Sequence, residues 1–172
     1  NWGVVYLGNL IGALSTMILV FVSQQFTFGN GAVGAAALAT ANAKVNLGFI
    51  QAIALGILCN SLVCLAIWLT FSARTSTDRI LCILPPIAAF VAAGFEHSIA
   101  NMFFIPRGIL IKLMAPAAFW ESIGQVPADY VNLTWGNFVF ANLLPVTLGN
   151  IIGGGVMVAA VYWFVYLHNK AK

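Results

Sequence analysis

Four long apolar runs divide the chain, at about Trp2–Val22, Leu47–Phe71, Leu81–Ala115 and Trp135–Tyr166. About 20 apolar residues carry a helix across the hydrocarbon of a bilayer, so each run is long enough to span it and the last two exceed a straight crossing. The third run holds Gly94, Glu96, His97, Ser98 and Asn101 near its middle. Two ionisable groups beside poor helix formers predict a break near residues 96–101, with a half-helix on either side. The connecting stretch Ser23–Lys44 is rich in Gly, Ala and Asn, carries no charge before Lys44, and predicts a short surface helix. The pattern as a whole predicts an all-α polytopic membrane protein.

Composition agrees. Hydrophobic residues make up 62% of the chain and charged residues 6%, against roughly 25% charged in soluble domains. The net charge of +3 is scattered over the ends of the runs; with no basic stripe to neutralise phosphates, nucleic acid is not an expected partner. The charges bear on topology instead. Arg74 and Arg79 flank the second loop, Lys170 and Lys172 close the chain, and Glu121 and Asp129 lie between the third and fourth runs. The positive-inside bias then places Asn1, the 72–79 loop and the C-terminus in the cytoplasm, although Lys44, Arg107 and Lys112 fall toward the other side. Trp2, Trp68, Trp163 and Tyr166 sit at the inner ends and Trp120, Tyr130 and Trp135 at the outer ends, as interfacial aromatic belts do. Asn132-Leu133-Thr134 is a glycosylation sequon on the outer side. Cys59, Cys64 and Cys82 have no CxxC spacing, so neither a disulfide framework nor a zinc site is indicated.

A repeat adds organisation. Leu7-Gly8-Asn9-Leu10-Ile11-Gly12-Ala13 in the first run recurs as Leu148-Gly149-Asn150-Ile151-Ile152-Gly153-Gly154 in the last. Two equivalent spans three apart belong to halves inverted across the membrane. With the chain starting at Asn1-Trp2 rather than Met, the expectation is a fragment of a longer protein, residues 1–172 forming one transmembrane domain from which the first two spans are absent. Gly8 and Gly12, and Gly48, Ala52, Gly56 and Asn60, run at four-residue intervals. Such small-residue stripes mark helix–helix or subunit contacts, because lipid gives no hydrophobic drive to helix pairing. Asn60 then faces inward, either as interhelical glue or as a pore lining.

Glu96 and His97 are the candidate chemistry. An ionisable group at bilayer depth costs roughly 2.5–3.5 kcal/mol even on the lenient insertion scale, which makes it a functional-site candidate. Neighbours on a helix point different ways, so the two do not act as one pair, and no Ser or Cys nucleophile accompanies them. No enzyme, cofactor or metal is therefore expected. Histidine is suited to proton exchange because its ordinary pKa is near ~6.5.

The strings Ala43-Lys44-Val45-Asn46-Leu47, Gly56-Ile57-Leu58-Cys59-Asn60, Gly94-Phe95-Glu96-His97-Ser98-Ile99-Ala100-Asn101-Met102 and Asn142-Leu143-Leu144-Pro145-Val146-Thr147-Leu148-Gly149-Asn150 resemble the formate/nitrite transporter family, most closely its bacterial formate channels. The resemblance covers the whole chain. It implies a homopentamer in the bacterial inner membrane, each protomer an aquaporin-like bundle of six spans with inverted three-helix repeats, its own pore and a broken fifth helix. This chain would supply spans three to six.

In that family His97 is the central pore histidine, Asn60 a polar pore neighbour, Phe90 part of an apolar constriction and Lys44 a positive residue for anion capture, while Glu96 and Asn150 hold the broken segments by hydrogen bonds. The implied substrate is formate, passing as formic acid or together with a proton, since a bare carboxylate loses too much hydration to cross an apolar constriction cheaply. Lys44 would focus anions, Phe90 would exclude water and bare ions by dewetting, and His97 would hydrogen-bond the anion. Partners are then formate and other small monovalent anions, protons and the lipid bilayer. Nitrite or hydrosulfide, carried by sister branches, is the alternative. A haem-bearing membrane anchor is more remote, because axial ligands must face each other and the other histidine, His168, falls in the proposed cytoplasmic tail.

Overall fold

The computed structural model describes residues 1–168; Lys170 and Lys172, on which the orientation of the C-terminus partly rests, lie outside the described residues. The helices in chain order are α1 (Trp2–Val22), α2 (Ala32–Val45), α3 (Phe49–Thr70), α4 (Ser76–Ala92), α5 (Ser98–Met114), α6 (Ala117–Ile123), α7 (Trp135–Asn137) and α8 (Leu144–Ile151). Short 3-10 turns occupy Gln25–Thr27 and Pro127–Tyr130. Beyond α7 the chain stays helical to Leu167, alternating α8 with π-helical stretches at Phe138–Leu143, Ile152–Ala160 and Trp163–Leu167. Trp2–Val22, Phe49–Thr70 and Pro127–Leu167 are long and apolar enough to cross a membrane, and α5 with α6, bent by 112°, forms a fourth candidate. This is an all-α polytopic membrane fold.

The helix that carries the start of the third apolar run begins at Ser76, before the run itself, because Thr75 and Asp78 form a reciprocal capping box. The break in that run lies at residues 93–97 instead of 96–101, and Ser98–Asn101 are already the first turn of α5. Weak helix propensity is overridden there by burial: Ser98, Asn101 and Met102 are all buried.

The chain divides into two compact units, Asn1–Gly48 with Ser98–Leu144, and Phe49–His97 with the chain from Pro145 onward. In the first, α2 lies along α5. Leu38, Ala41 and Val45 pack in one cluster with Met102, Ile105, Ile109, Phe26, Phe119 and Leu133. So α2 does not lie free on the surface: one of its faces is buried. Its Gly34, Leu38, Ala41 and Val45 recur every three or four residues and form one buried face, but a run of Ala and Gly shows little hydropathy contrast. Cations in this apolar unit are satisfied locally: Lys112 Nζ donates to the carbonyls of Tyr130 (2.7 Å) and Leu133 (3.1 Å), and Arg107 Nη2 donates to Gln25 Oε1 (3.1 Å). Along α1, in contrast, Met17 alone is buried, while Val4, Leu7, Ile11, Leu19 and Val22 are exposed.

In the second unit α3 packs on α4 and on the 152–160 stretch. The second contact is backbone against backbone. A Cβ on Gly149 or Gly153 would overlap the carbonyl oxygens of Ile53 and Ile57, and one on Gly56 would come within 2.8 Å of the Val146 carbonyl. Glycine is the residue that permits this approach. Of the α3 stripe, Ala52 and Gly56 are buried, Asn60 is half-buried, and Gly48 lies before the helix begins.

Candidate functional site: a broken helix held by an asparagine

The site is built where α4 ends. Gly94 stands at φ +68°, in the left-handed region that an L side chain rarely adopts. It closes a Schellman motif, in which the Phe95 N–H donates to the Phe90 carbonyl (3.0 Å) and the Gly94 N–H to the Val91 carbonyl (3.1 Å). The chain thus reverses out of the helix at low energy, with two of the last carbonyls satisfied. One consequence is that His97 returns beside the final turn of α4: its ring lies 6.1 Å from that of Phe90, inclined by 27°. His97 and Phe90 are both half-buried.

The extended segment that follows Gly94 has no helix of its own to satisfy it, and residues from two other elements do so. The Glu96 N–H donates to the Leu55 carbonyl of α3 (3.4 Å). The Asn150 side chain donates from Nδ2 to the Glu96 carbonyl (3.0 Å) and to the Gly56 carbonyl (2.9 Å). Asn60 Nδ2 in turn donates to the Asn150 carbonyl at 2.6 Å. Asn150 therefore ties α8, α3 and the break together through one amide. The Gly56 carbonyl is reachable because the glycine lets α8 approach, with a would-be Cβ 3.2 Å from Asn150 Nδ2. Glu96 is 3% exposed, so the residue is packed into the unit rather than solvated.

Asn60, Phe90, Glu96, His97 and Asn150 thus all belong to the second unit, whereas Lys44 belongs to the first. Lys44 is half-buried at the last turn of α2, its Nζ 5.9 Å from the centroid of the Phe104 ring. The Lys44 carbonyl accepts from Asn142 Nδ2 (2.9 Å), and Asn142 Oδ1 accepts from Asn101 Nδ2 (2.7 Å). Asn101 and Asn142 are fully buried polar residues to which the sequence alone assigns no role. Their signal was an Asn in an otherwise apolar helix, which in a membrane protein needs a partner. Among the described residues no group of three or more His, Cys, Asp or Glu could hold a metal ion.

An apolar helix interrupted at a histidine, its freed backbone groups bound by an inward asparagine, defines a class of polytopic membrane protein, in which irregular backbone at membrane depth is tolerated where protein covers it or a cavity adjoins it. The comparisons give the class a name. The profile of the formate/nitrite transporter family matches residues 1–164, and the chain belongs to that family. It is similar to the formate channel FocA of Escherichia coli strain K12, 49% identical over 170 residues, covering 99% of this chain and 60% of the relative. The formate channel FocA of Haemophilus influenzae is 45% identical over 158 residues, covering 92% of this chain and 56% of that one. Among solved structures, a pentameric formate channel with formate bound matches with a TM-score of 0.93 and 49% identity over 97% of this chain and 66% of the other. An ion channel of the same family matches with a TM-score of 0.65 and 32% identity over 92% of this chain and 56% of the other. The chain spans about 60% of the length of the FocA channel of E. coli.

Proposed function

We propose that this chain carries the histidine-bearing part of a formate pore, in a protein that moves formate across the bacterial inner membrane as a homopentamer, with its C-terminus in the cytoplasm. The observation that carries the reading is the placement of His97 beside the Phe90 ring on a segment whose backbone Asn150 binds. Kinship with formate channels supports the substrate. In this reading Phe90 supplies an apolar collar that excludes water and bare ions. Protonated His97 meets the carboxylate and gives it a proton, the neutral acid carries that proton through, and His97 is reprotonated from the side on which formate entered. Asn60 keeps the Asn150 carbonyl satisfied and so fixes the segment. Glu96 and Asn150 hold the broken backbone. Lys44 raises the local anion concentration by its charge and takes no part in the narrow passage.

Formate flux and internal pH, followed together in proteoliposomes at acid and neutral external pH, test the role of His97. His97→Asn keeps polarity but cannot titrate. It should assemble and pass formate down its gradient, yet lose the dependence of flux on acid pH and the proton uptake that accompanies it. An unchanged pH profile would reduce His97 to a structural residue of the break. For Lys44, Lys44→Glu should slow formate uptake most at low substrate and low salt, because charge steering fades beyond a Debye length of about 10 Å at 0.1 M salt. Equal loss at every ionic strength would remove the steering role. A panel of formate, nitrite, hydrosulfide and glycerol in the same vesicles decides the substrate.

A further inference from the structure

A second feature of the Phe49–His97 unit lies away from the break. Where α3 ends and α4 begins, Ile67, Thr70, Phe71, Ala73, Arg79 and Ile83 line a groove of about 540 Å³. Its floor is apolar and its one charged member is Arg79. The guanidinium of Arg79 makes no ion pair and no hydrogen bond among the described residues. The carboxylate next to it, Asp78, is turned to the backbone: its Oδ2 accepts from the N–H groups of Arg74 (3.2 Å) and Thr75 (3.0 Å). Arg74 and Arg79 therefore face outward as two positive charges, with the one acid between them directed at the helix start.

One residue of the groove, Phe71, belongs to a cluster of aromatic rings. Trp68 packs edge-on against Tyr162 (5.5 Å) and Tyr166 (6.1 Å), and Phe71 against Tyr162 (6.2 Å). Trp and Tyr concentrate where headgroups meet hydrocarbon. An apolar groove that shares Phe71 with such a cluster and carries an arginine as its one charge asks for a ligand with both chemistries, a hydrocarbon chain and a phosphate. Guanidinium suits the phosphate end because its planar fork donates to two oxygens at once. A free phosphate has nothing to offer Ile67, Phe71 and Ile83, and a neutral zwitterionic lipid gains little from Arg74 and Arg79.

We propose that this groove binds an anionic glycerophospholipid, its acyl chain along Ile67, Phe71 and Ile83 and its phosphate on Arg79, with Arg74 adding to the field. The intact protein in mild detergent, titrated with phosphatidylglycerol or with phosphatidylcholine of the same chains and read by native mass spectrometry, tests it. The unmodified protein should retain phosphatidylglycerol in preference. Arg79→Gln should weaken that preference about fivefold, the effect of one interfacial charge, while Arg79→Lys should keep most of it. Ala73→Trp, which fills the groove without touching a charge, should reduce retention of both lipids. Equal retention of the two lipids, or a preference that Arg79→Gln leaves intact, would overturn the proposal. So would displacement of phosphatidylglycerol by equimolar glycerol 3-phosphate, which would make it a free-phosphate site. Loss of the oligomer by Ala73→Trp with lipid retention unchanged would assign the groove to a second copy of the chain.

Discussion

The segments Leu7–Ala13 of α1 and Leu148–Gly154 of α8 and its π-helical continuation are nearly the same seven residues in two different surroundings. In the later segment Gly149 and Gly153 lie against the α3 backbone, and Asn150 is 7% exposed and donates to carbonyls 54 and 94 residues away in sequence. In the earlier one a Cβ on Gly8 or Gly12 would meet nothing within 4 Å, and Asn9 is exposed and folds back onto the Val5 carbonyl of its own helix at 2.9 Å. Gly8, Asn9, Gly12 and Thr16 line, with Ile99 and Phe103, an open trough of about 490 Å³. The comparison teaches that a small-residue motif confers a capacity for close approach and no more. Where a neighbouring backbone fills the space, the glycines allow contact and the amide finds distant acceptors; where none does, the same amide settles for the nearest carbonyl.

The largest effect that tests this contrast is steric. Gly153→Leu would drive a side chain into the Ile57 carbonyl, with backbone that cannot yield, and should destabilise by about 3 kcal/mol or more. Gly12→Leu meets no atom of the described helices and gains helix propensity, so by the contacts of this chain alone it should be neutral or stabilising by up to about 1 kcal/mol, and a loss would come from a helix or subunit seated on the stripe. Thermal unfolding in mild detergent compares the two, and a loss from Gly12→Leu matching that of Gly153→Leu would break the contrast by revealing a surface that covers α1.

Next comes the amide. Asn150→Ala removes a donor shared by the Glu96 and Gly56 carbonyls, and leaving buried carbonyls unmet should cost roughly 2–4 kcal/mol and loosen the segment carrying His97. Asn9→Ala removes one exposed bond within its own turn and should stay within about 0.5 kcal/mol. Amide hydrogen exchange at residues 94–98 separates them, and equal protection in the two variants would refute the holding role of Asn150.

The smallest effect sharpens the distinction between local and long-range bonds. Asp78, like Asn9, bonds only to groups close in sequence and is solvent-accessible. The Thr75 backbone and side chain, with the Arg74 N–H, hold its carboxyl below the ordinary carboxylate value. A lowered folded pKa means that the stabilisation is present above the unfolded value near 3.8 and is lost as pH falls through the folded value. Asp78→Asn should therefore cost slightly at neutral pH, and the cost should shrink as pH falls through the parent's lowered folded value. A melting-temperature difference that persists undiminished at the acid end would show that the capping box is not its source.

What the chain determines by itself is its solvent and its helices. Runs such as Trp2–Val22 and Phe49–Thr70 carry enough apolar side chains to specify membrane crossing with no reference to neighbours, because hydropathy is a local sum. The Glu96-His97 pair likewise stands out from its surroundings in any fold, and Gly94 just before it is the residue that a left-handed turn requires. Tertiary structure alone decided the rest. It set the break at residues 93–97 instead of 96–101 and buried one face of α2, whose Ala and Gly reveal a core side only when α5 and Phe119 press against it. It also separated Asn150 from Asn9 although their sequence contexts nearly coincide. Each depends on which backbone lies opposite a small side chain, and a residue's own chemistry cannot specify that, since glycine permits an approach without supplying the partner.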